Sequence, residues 1–421
     1  IINVIGEPID ERGAVKTNNI ASFHYLGRGI GYANNAAANV PFEEIKDASK
    51  IFMIGSEINE DNAVAGFMIN NAQFKYNVPV SVITDKEESS LEHKADEIIK
   101  VKSYFHFIKA VNYYLVANNF QNAMFLNDNC TDYETYKEAL QKENFVELIE
   151  KSGVPIMDHI IEFVKAFNNE MNAVIVFSEK ELSPEVCTEL FNLAMITGKL
   201  GKTASGLISL KEKNNSQGIF DMGIAPKIGV GTQCLQNDDF IAKMNEKWGT
   251  DYQKAEPQCI VDGLNRGFKN MFIFGEDPVG CAVDTKEVKA WMKGFVVVQD
   301  YFMTETAKEA DLILPASMPI ETGGSFTNTQ KTFQEFEAEF TSKVDELNYQ
   351  QLNALLKAFG VETKEDLIDI RMEALSLLPT NGADEKFAFK STEDKASKRR
   401  FNYGCDHVNL RFEEQFSESM K

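Results

Sequence analysis

The feature that most constrains this chain is the alternation of short β-branched or aromatic runs with amphipathic stretches of helical period. Ile51 to Ile54 reads IFMI and stops at Gly55, and Asn62 to Phe74 then reads as a helix. Val78 to Ile83 and Glu97 to Val101 follow as strands, and Tyr104 to Asn118 carries a stripe through Phe107, Ile108, Val111 and Leu115. Parallel strands need long crossovers, so this alternation predicts a parallel sheet covered on both faces. Asp158 to Phe167 (helix) and Ala173 to Phe177 (strand) continue it. Ser183 and Pro184 open a helix that stops at Gly198.

Between these, Cys130 to Ser152 is acidic with weak periodicity and reads as a surface excursion. From Leu210 to Asp238 the chain loses apolar period, which marks a domain crossing. A second alternating unit follows: strands at Met271 to Phe274, Phe295 to Val298 and Leu312 to Leu314, a helix from Asp284 to Met292, and a capped turn at Thr304. After Phe340 the pattern turns helical, and the last residues read as an extended tail. The expected division is a leader over 1–17, α/β domains over 18–208 and 209–345, and a helical segment with tail over 346–421.

Composition narrows the function classes. The 421 residues carry 43 basic and 64 acidic side chains, a net charge of −21 that opposes a nucleic-acid groove. The six cysteines (130, 187, 234, 259, 281, 405) include no CxxC clamp, so no zinc or iron–sulfur framework is read and no metal ligand is assigned. A reduced, cytoplasmic setting is expected. No apolar run approaches the length of a membrane helix, so contact with a membrane is expected only through partners. The start at Ile1 suggests a processed, tagged or partial chain.

Two strand ends look alike: Gly55-Ser56-Glu57 and Gly275-Glu276-Asp277-Pro278. In open α/β sheets ligands lie beyond the carboxyl ends of strands, and glycine there lets the backbone approach a phosphate closely. The same glycines also suit any strand-to-helix turn, and neither turn is a GxGxxG, so a standard NAD site is not expected. Gly198-Lys199-Leu200-Gly201-Lys202-Thr203 has Ile196 where a P-loop needs glycine, and reads as a helix C-cap. His24, His93, His106, His159 and His407 have no ligand spacing, and Cys405-Asp406-His407 is one short cluster. There is no GxSxG, and no catalytic residue is assigned.

The stretch from Phe272 to Phe340 contains FIFGEDPVGC and FVVVQDYFMTETAKEADLILPASMPIETGGSFTNTQKTFQ. It resembles the signature of the molybdopterin oxidoreductase superfamily. Upstream, KIFMIGSEINEDNAVAGF (Lys50 to Phe67), FNLAMITGKLGKTASG (Phe191 to Gly206) and NNSQGIFDMGIAP (Asn214 to Pro226) are similar to that family's segments, in the same order. The resemblance covers roughly Asn18 to Phe340 and implies two doubly wound, Rossmann-like units with a C-terminal helical and extended tail. It places vestigial pterin-site positions at Gly55, Ser56, Gly275, Glu276, Asp277, Thr327 and Asn328.

Two kinds of superfamily member share these segments: formate dehydrogenase catalytic subunits and the large iron–sulfur subunit of NADH–quinone oxidoreductase (complex I). Both usually carry a cysteine-rich amino-terminal half with iron–sulfur clusters, so this chain is expected to be a carboxyl-terminal half. Formate dehydrogenases place a molybdenum-ligating cysteine or selenocysteine before the first Gly-Ser turn, and Asn18 to Ile45 has no cysteine. Their basic residues after the second strand fall here on Lys86, Glu87 and Glu88, and those after FTNT on Gln330, Lys331 and Thr332. These departures point to the complex I protein: a scaffold without its own catalytic centre or molybdopterin, partnered by peripheral-arm subunits and supporting electron transfer from NADH to quinone. The alternatives are a formate dehydrogenase fragment and a non-redox binding module. Ile1 to Thr17 resembles a short stretch of the ATP synthase β subunit, and no ATPase function is assigned to it.

Overall fold

The computed structural model describes residues 40–87, 95–179, 181–211, 214–224, 229–230, 237–249, 270–282, 285–330, 332–377, 387–389 and 391–393. The leader over 1–17, His24, His93, Glu88, Lys331 and the 405–407 cluster lie outside the described residues.

The chain enters the first sheet on β1 (Lys50–Ile54), passes a single helical turn (Ile58–Asp61) and continues into α1 (Ala63–Tyr76). It then forms β2 (Val80–Thr84), β3 (Glu97–Lys100) and α2 (Tyr104–Ala117), followed by α3 (Ala123–Asn129) and β4 (Cys130–Thr131). Next come α4 (Tyr133–Leu140), α5 (Phe145–Ser152), α6 (Met157–Asn169), β5 (Ala173–Ser178), α7 (Pro184–Ile196) and β6 (Gly206–Leu210). The sheet order is β3-β2-β1-β5-β6, with every pairing parallel. The chain therefore winds outward from β1 to β3, then returns to the other flank of β1.

Both faces are covered, as alternation within each strand requires. Phe52, Ile54, Ile83, Ile175 and Phe177 face a core built with α2, α6 and α7. Ile51, Met53, Val80, Val82, Val174 and Val176 face the opposite core, which receives Ala65, Ile69 and Ala72 of α1. Phe52 is fully buried and meets Phe163 and Phe167 edge-on, with ring centroids 5.5 and 5.0 Å away. Capping fixes where the helices begin: Ser103 Oγ accepts from His106 N, and Ser183 Oγ accepts from Val186 N with Pro184 in the first turn.

The Cys130 to Ser152 stretch is no surface excursion. Tyr136 and Leu140 of α4 and Leu148 of α5 enter the core. The short helices are acidic outside and supply few apolar side chains each, too few to display a period. At Gly198–Gly201 the expected helix stop holds, since Gly198 takes φ +64° just past α7.

After α8 (Ser216–Asp221) and α9 (Asp238–Trp248), the second unit pairs β7 (Asn270–Phe274), β8 (Phe295–Asp300) and β9 (Leu312–Pro315) in parallel, with α10 (Thr285–Trp291) between the first two. Its core is separate and holds Met271, Ile273, Val279, Val288, Trp291, Val296 and Val298. FTNT sits on an antiparallel hairpin of β10 (Gly324–Thr327) and β11 (Phe333–Phe336). In α11 (Asn348–Ala358), Gln351 Nε2 donates to Pro315 O, and Gln299 Nε2 donates to Gln351 Oε1, so this helix is tied to the ends of β8 and β9. Beyond α12 (Leu367–Leu377), the expected free tail turns back: β12 (Phe387–Ala388) pairs with β4, and buried Phe389 packs against Tyr133 and Tyr136. No helix among the described residues is long and apolar enough to cross a membrane.

Phe52→Ala is expected to cost about 3–5 kcal/mol, the range for truncating a buried aromatic side chain. Native-state hydrogen exchange should show that loss in β1, β2 and β5 amides, with β7 and β8 unchanged because their core is separate.

Candidate functional site

In a doubly wound sheet, the strand order reverses at one point, and loops leaving the two strands there diverge to opposite faces and open a crevice. Here that point lies between β1 and β5. Gly55-Ser56-Glu57 leaves β1 on one side of it, and Glu179 and Glu181 to Ser183 follow β5 on the other.

Gly55 adopts φ +131°, a conformation that L side chains rarely take. A Cβ at this position would lie 2.4 Å from Glu181 Oε2. The turn directs its donors at that same carboxylate. Ser56 N and Oγ donate to Glu181 Oε1 at 2.6 and 2.7 Å, and Glu57 N donates to Oε2 at 3.2 Å. Tyr104 Oη lies 3.4 Å from Glu181 Oε1 and donates to Asp85 Oδ1 at 3.0 Å, while accepting from Asp85 N. Burial pushes the Tyr104 phenol up, and Glu181 and Asp85 push it further, so it stays protonated. Lys86 donates to Glu57 Oε1 at 2.7 Å, and this bond raises its ammonium above the usual range despite some desolvation.

Beside this cradle, Lys211 pairs with Glu179, both 3% exposed or less, and Ser209 Oγ donates to the same carboxylate oxygen. Burial raises the Glu179 carboxyl even against the nearby ammonium. Its other oxygen, Oε2, is buried without a hydrogen-bond partner among the described residues.

The second group of expected positions does a different job. Gly275 ends β7 at φ +61°, with open space where a Cβ would stand. Asp277 accepts from Thr306 N and Oγ1, Gly280 N and Glu305 N, which fastens the GEDP turn to the TET turn. Partial burial pushes its carboxyl up, but these bonds outweigh it and hold the group below the ordinary range. Thr327 N donates to Asn215 Oδ1, and Asn215 Nδ2 reaches Ser325 O, which joins NNSQG to the hairpin. Asn328 Oδ1 accepts from Gln330 N and Thr332 N. Asp277, Thr327 and Asn328 therefore help hold neighbouring turns together. Glu276 lies within the GEDP turn, half-buried.

The residue that sequence reasoning missed is Glu181. Its only signal is its place just after an apolar strand, which becomes meaningful once the strand order is known.

Residues 5–358 match the Molybdopterin oxidoreductase family. The chain belongs to that family. It is 30% identical over 341 residues to the F420-dependent formate dehydrogenase subunit alpha of Methanocaldococcus jannaschii, covering 77% of this chain and 50% of that protein. It is 27% identical over 320 residues to a protein named as a formate dehydrogenase in Staphylococcus haemolyticus, covering 73% of this chain and 32% of that one. The chain thus spans half or less of these relatives. The acetylene hydratase of Pelobacter acetylenicus shares the fold, with a TM-score of 0.55 at 14% identity, over 80% of this chain and 51% of that one.

Three expectations change. The family match begins at residue 5, so most of the stretch likened to ATP synthase lies inside it, and that likeness has no support. The named relatives are formate dehydrogenases, which moves the weight from the complex I scaffold to the formate dehydrogenase alternative. Membership in a molybdopterin family also stands against the expectation that the pterin is lost.

The donors at the β1 turn fit an anionic group such as a cofactor phosphate. Three N–H or O–H groups converge on one point from a turn that only glycine can open this widely, and a carboxylate already stands there.

Two outcomes test this reading of the local chemistry. Asp277→Ala should cost about 2 kcal/mol, the scale of hydrogen bonds to a charged group. Because the folded carboxyl is held below its ordinary value, the charge-dependent part of that contribution is present above the ordinary carboxyl range and is lost as pH falls through the folded pKa; urea titrations from about pH 7 to about pH 2.5 should show the gap between wild type and variant narrowing. Lys211→Ala, which leaves Glu179 buried and unpaired, should destabilise by about 3–5 kcal/mol in the same assay.

Proposed function

We propose that the chain is the pterin-holding portion of a molybdopterin-dependent formate dehydrogenase catalytic subunit. The observation that carries the reading is the family match together with the convergent donors at the β1–β5 switch point. In this reading the unit up to about residue 208 offers Ser56 N–H, Ser56 Oγ–H and Glu57 N–H to a cofactor phosphate. The unit over 209–345 offers the open turn at Gly275 as a second approach. Asp277 and Asn215 keep the GEDP, TET and FTNT segments in register so that the turn stays open.

A bound molybdenum–pterin group supplies the acceptor for the two electrons released when formate becomes carbon dioxide and a proton. This chain's residues bind and orient that group and shield it from water. Lys86 offsets Glu57 at the rim, and Tyr104 stands as a neutral donor between Asp85 and Glu181. The sequence has no cysteine before Cys130, so a metal ligand from this portion would be of another residue type or come from elsewhere in the protein.

The test is purification of the full chain from a molybdenum-replete host, with metal analysis, the fluorescence of oxidised pterin, and formate-dependent dye reduction. The expected outcome is pterin and molybdenum eluting with the protein, and dye reduction that follows the metal content. A folded protein free of pterin from such a host would overturn the reading. Co-purification with NADH-oxidising subunits instead would return the complex I scaffold.

A further inference from the structure

We propose that the Glu181 carboxylate is an internal anion that closes the β1 cradle and must swing out before a pyrophosphate-bearing ligand can bind. The proposal deepens the reading above and rests on it for the identity of the site, but it concerns only this chain's own residues.

Three observations carry it. First, the contacts of Glu181 are those of a ligand. Two backbone N–H groups and one hydroxyl donate to its two oxygens at 2.6–3.2 Å. Successive N–H groups in a turn form a concave site for an oxyanion of any origin, and a carboxylate and a phosphate cannot hold the same donors at once.

Second, the loop that carries Glu181 is anchored independently of that carboxylate. Glu181 N and Leu182 N both donate to Ser178 O. The Leu182 side chain is 1% exposed within the core, and Ser183 caps α7. The side chain can therefore leave by rotation about its own bonds while the backbone at Glu181 to Ser183 stays in place.

Third, the charges around the cradle decide what its departure does. Glu57 and Asp85 flank it, and Lys86 is bonded to Glu57 and feels the charges of Glu181 and Glu60. With Glu181 in place, an incoming pyrophosphate meets a carboxylate at contact distance. With it withdrawn, the carboxylate no longer occupies the acceptor position facing Ser56 N, Ser56 Oγ and Glu57 N, and one negative charge is removed from the point of binding. A structural clasp between the loops after β1 and β5 is the rival explanation. It predicts lost stability on truncation and no gained affinity.

The experiment titrates inorganic pyrophosphate calorimetrically into the full-length wild type, Glu181→Ala, Glu181→Gln and the double variant Glu181→Ala/Ser56→Ala, at one fixed salt concentration. The proposal expects at least tenfold tighter binding for Glu181→Ala, a smaller gain for Glu181→Gln, and loss of most of the gain in the double variant. Pyrophosphate should also raise the melting temperature of Glu181→Ala more than that of the wild type. Folded Glu181→Ala and Glu181→Gln that bind no tighter than the wild type would overturn it in favour of the clasp. If Glu181→Ala does not fold, Glu181→Gln decides, because its amide oxygen can still accept from Ser56 N while the charge is gone. If neither folds, the wild-type amide resonances of Ser56 and Glu57 decide. Saturating pyrophosphate shifts them if Glu181 is displaced, and unshifted resonances overturn the proposal. Failure here with pterin present in the purification leaves the formate dehydrogenase reading intact. Tighter pyrophosphate binding without any pterin leaves the gate and removes that reading.

Discussion

The parallel pairing of β1 with β5 is the constraint on which the rest of the first unit depends. β1 is the strand from which the chain winds both ways, so it must be apolar on both faces, and its buried run from Ile51 to Ile54 meets that demand. Alternate residues then feed two separate cores, Phe52 and Ile54 into one and Ile51 and Met53 into the other. The same pairing fixes where a ligand site can be, because diverging connections are available only where the order reverses. Packing and site are consequences of one topological choice.

Much of this was legible because strands buried on both faces leave a plain trace: short β-branched runs with no alternation, ended by glycine or polar residues. β1, β2, β5 and β8 read that way, α2 carried its period and α7 its cap. What escaped was information held at long range. Tyr136, Leu140 and Leu148 sit on helices too short and too acidic to display a period, yet the core needs them. Phe389 lies in a polar stretch, and its burial depends on β12 finding β4 far back in the chain.

The candidate site divides along the same line. Gly55 and Ser56 were legible only as a strand-end turn, because the same residues suit any strand-to-helix connection; the φ of +131° at Gly55 is seen only in the structure. Asp277, Thr327 and Asn328 were readable as a signature, but their role was not. Each spends its hydrogen-bonding groups on neighbouring turns, so the motif records how the GEDP, TET and FTNT segments are held together. The acidic residues that stand at the family's basic positions after the second strand suggest, from sequence, that the pterin is lost. The structure refines that picture, since Glu57 has its counterion in Lys86 and Asp85 has a phenol donor in Tyr104.

The remaining acid, Glu181, takes the opposite part. Backbone N–H groups in a partly buried turn cost free energy if left without an acceptor, on the order of 1–3 kcal/mol each. A site shaped to receive a phosphate therefore has a cost whenever the phosphate is absent, and the wider the convergence of donors, the larger that cost. Water can meet it, or the chain can meet it with an acceptor of its own. Here the chain places a carboxylate from the far side of the switch point across the crevice, on the donors that Gly55 exposes. That arrangement is a hydrogen-bonded join between the turn after β1 and Glu181 beyond β5. The strength of the join is then subtracted from the affinity of whatever displaces it, so stability without a ligand and affinity for one are set against each other at a single side chain.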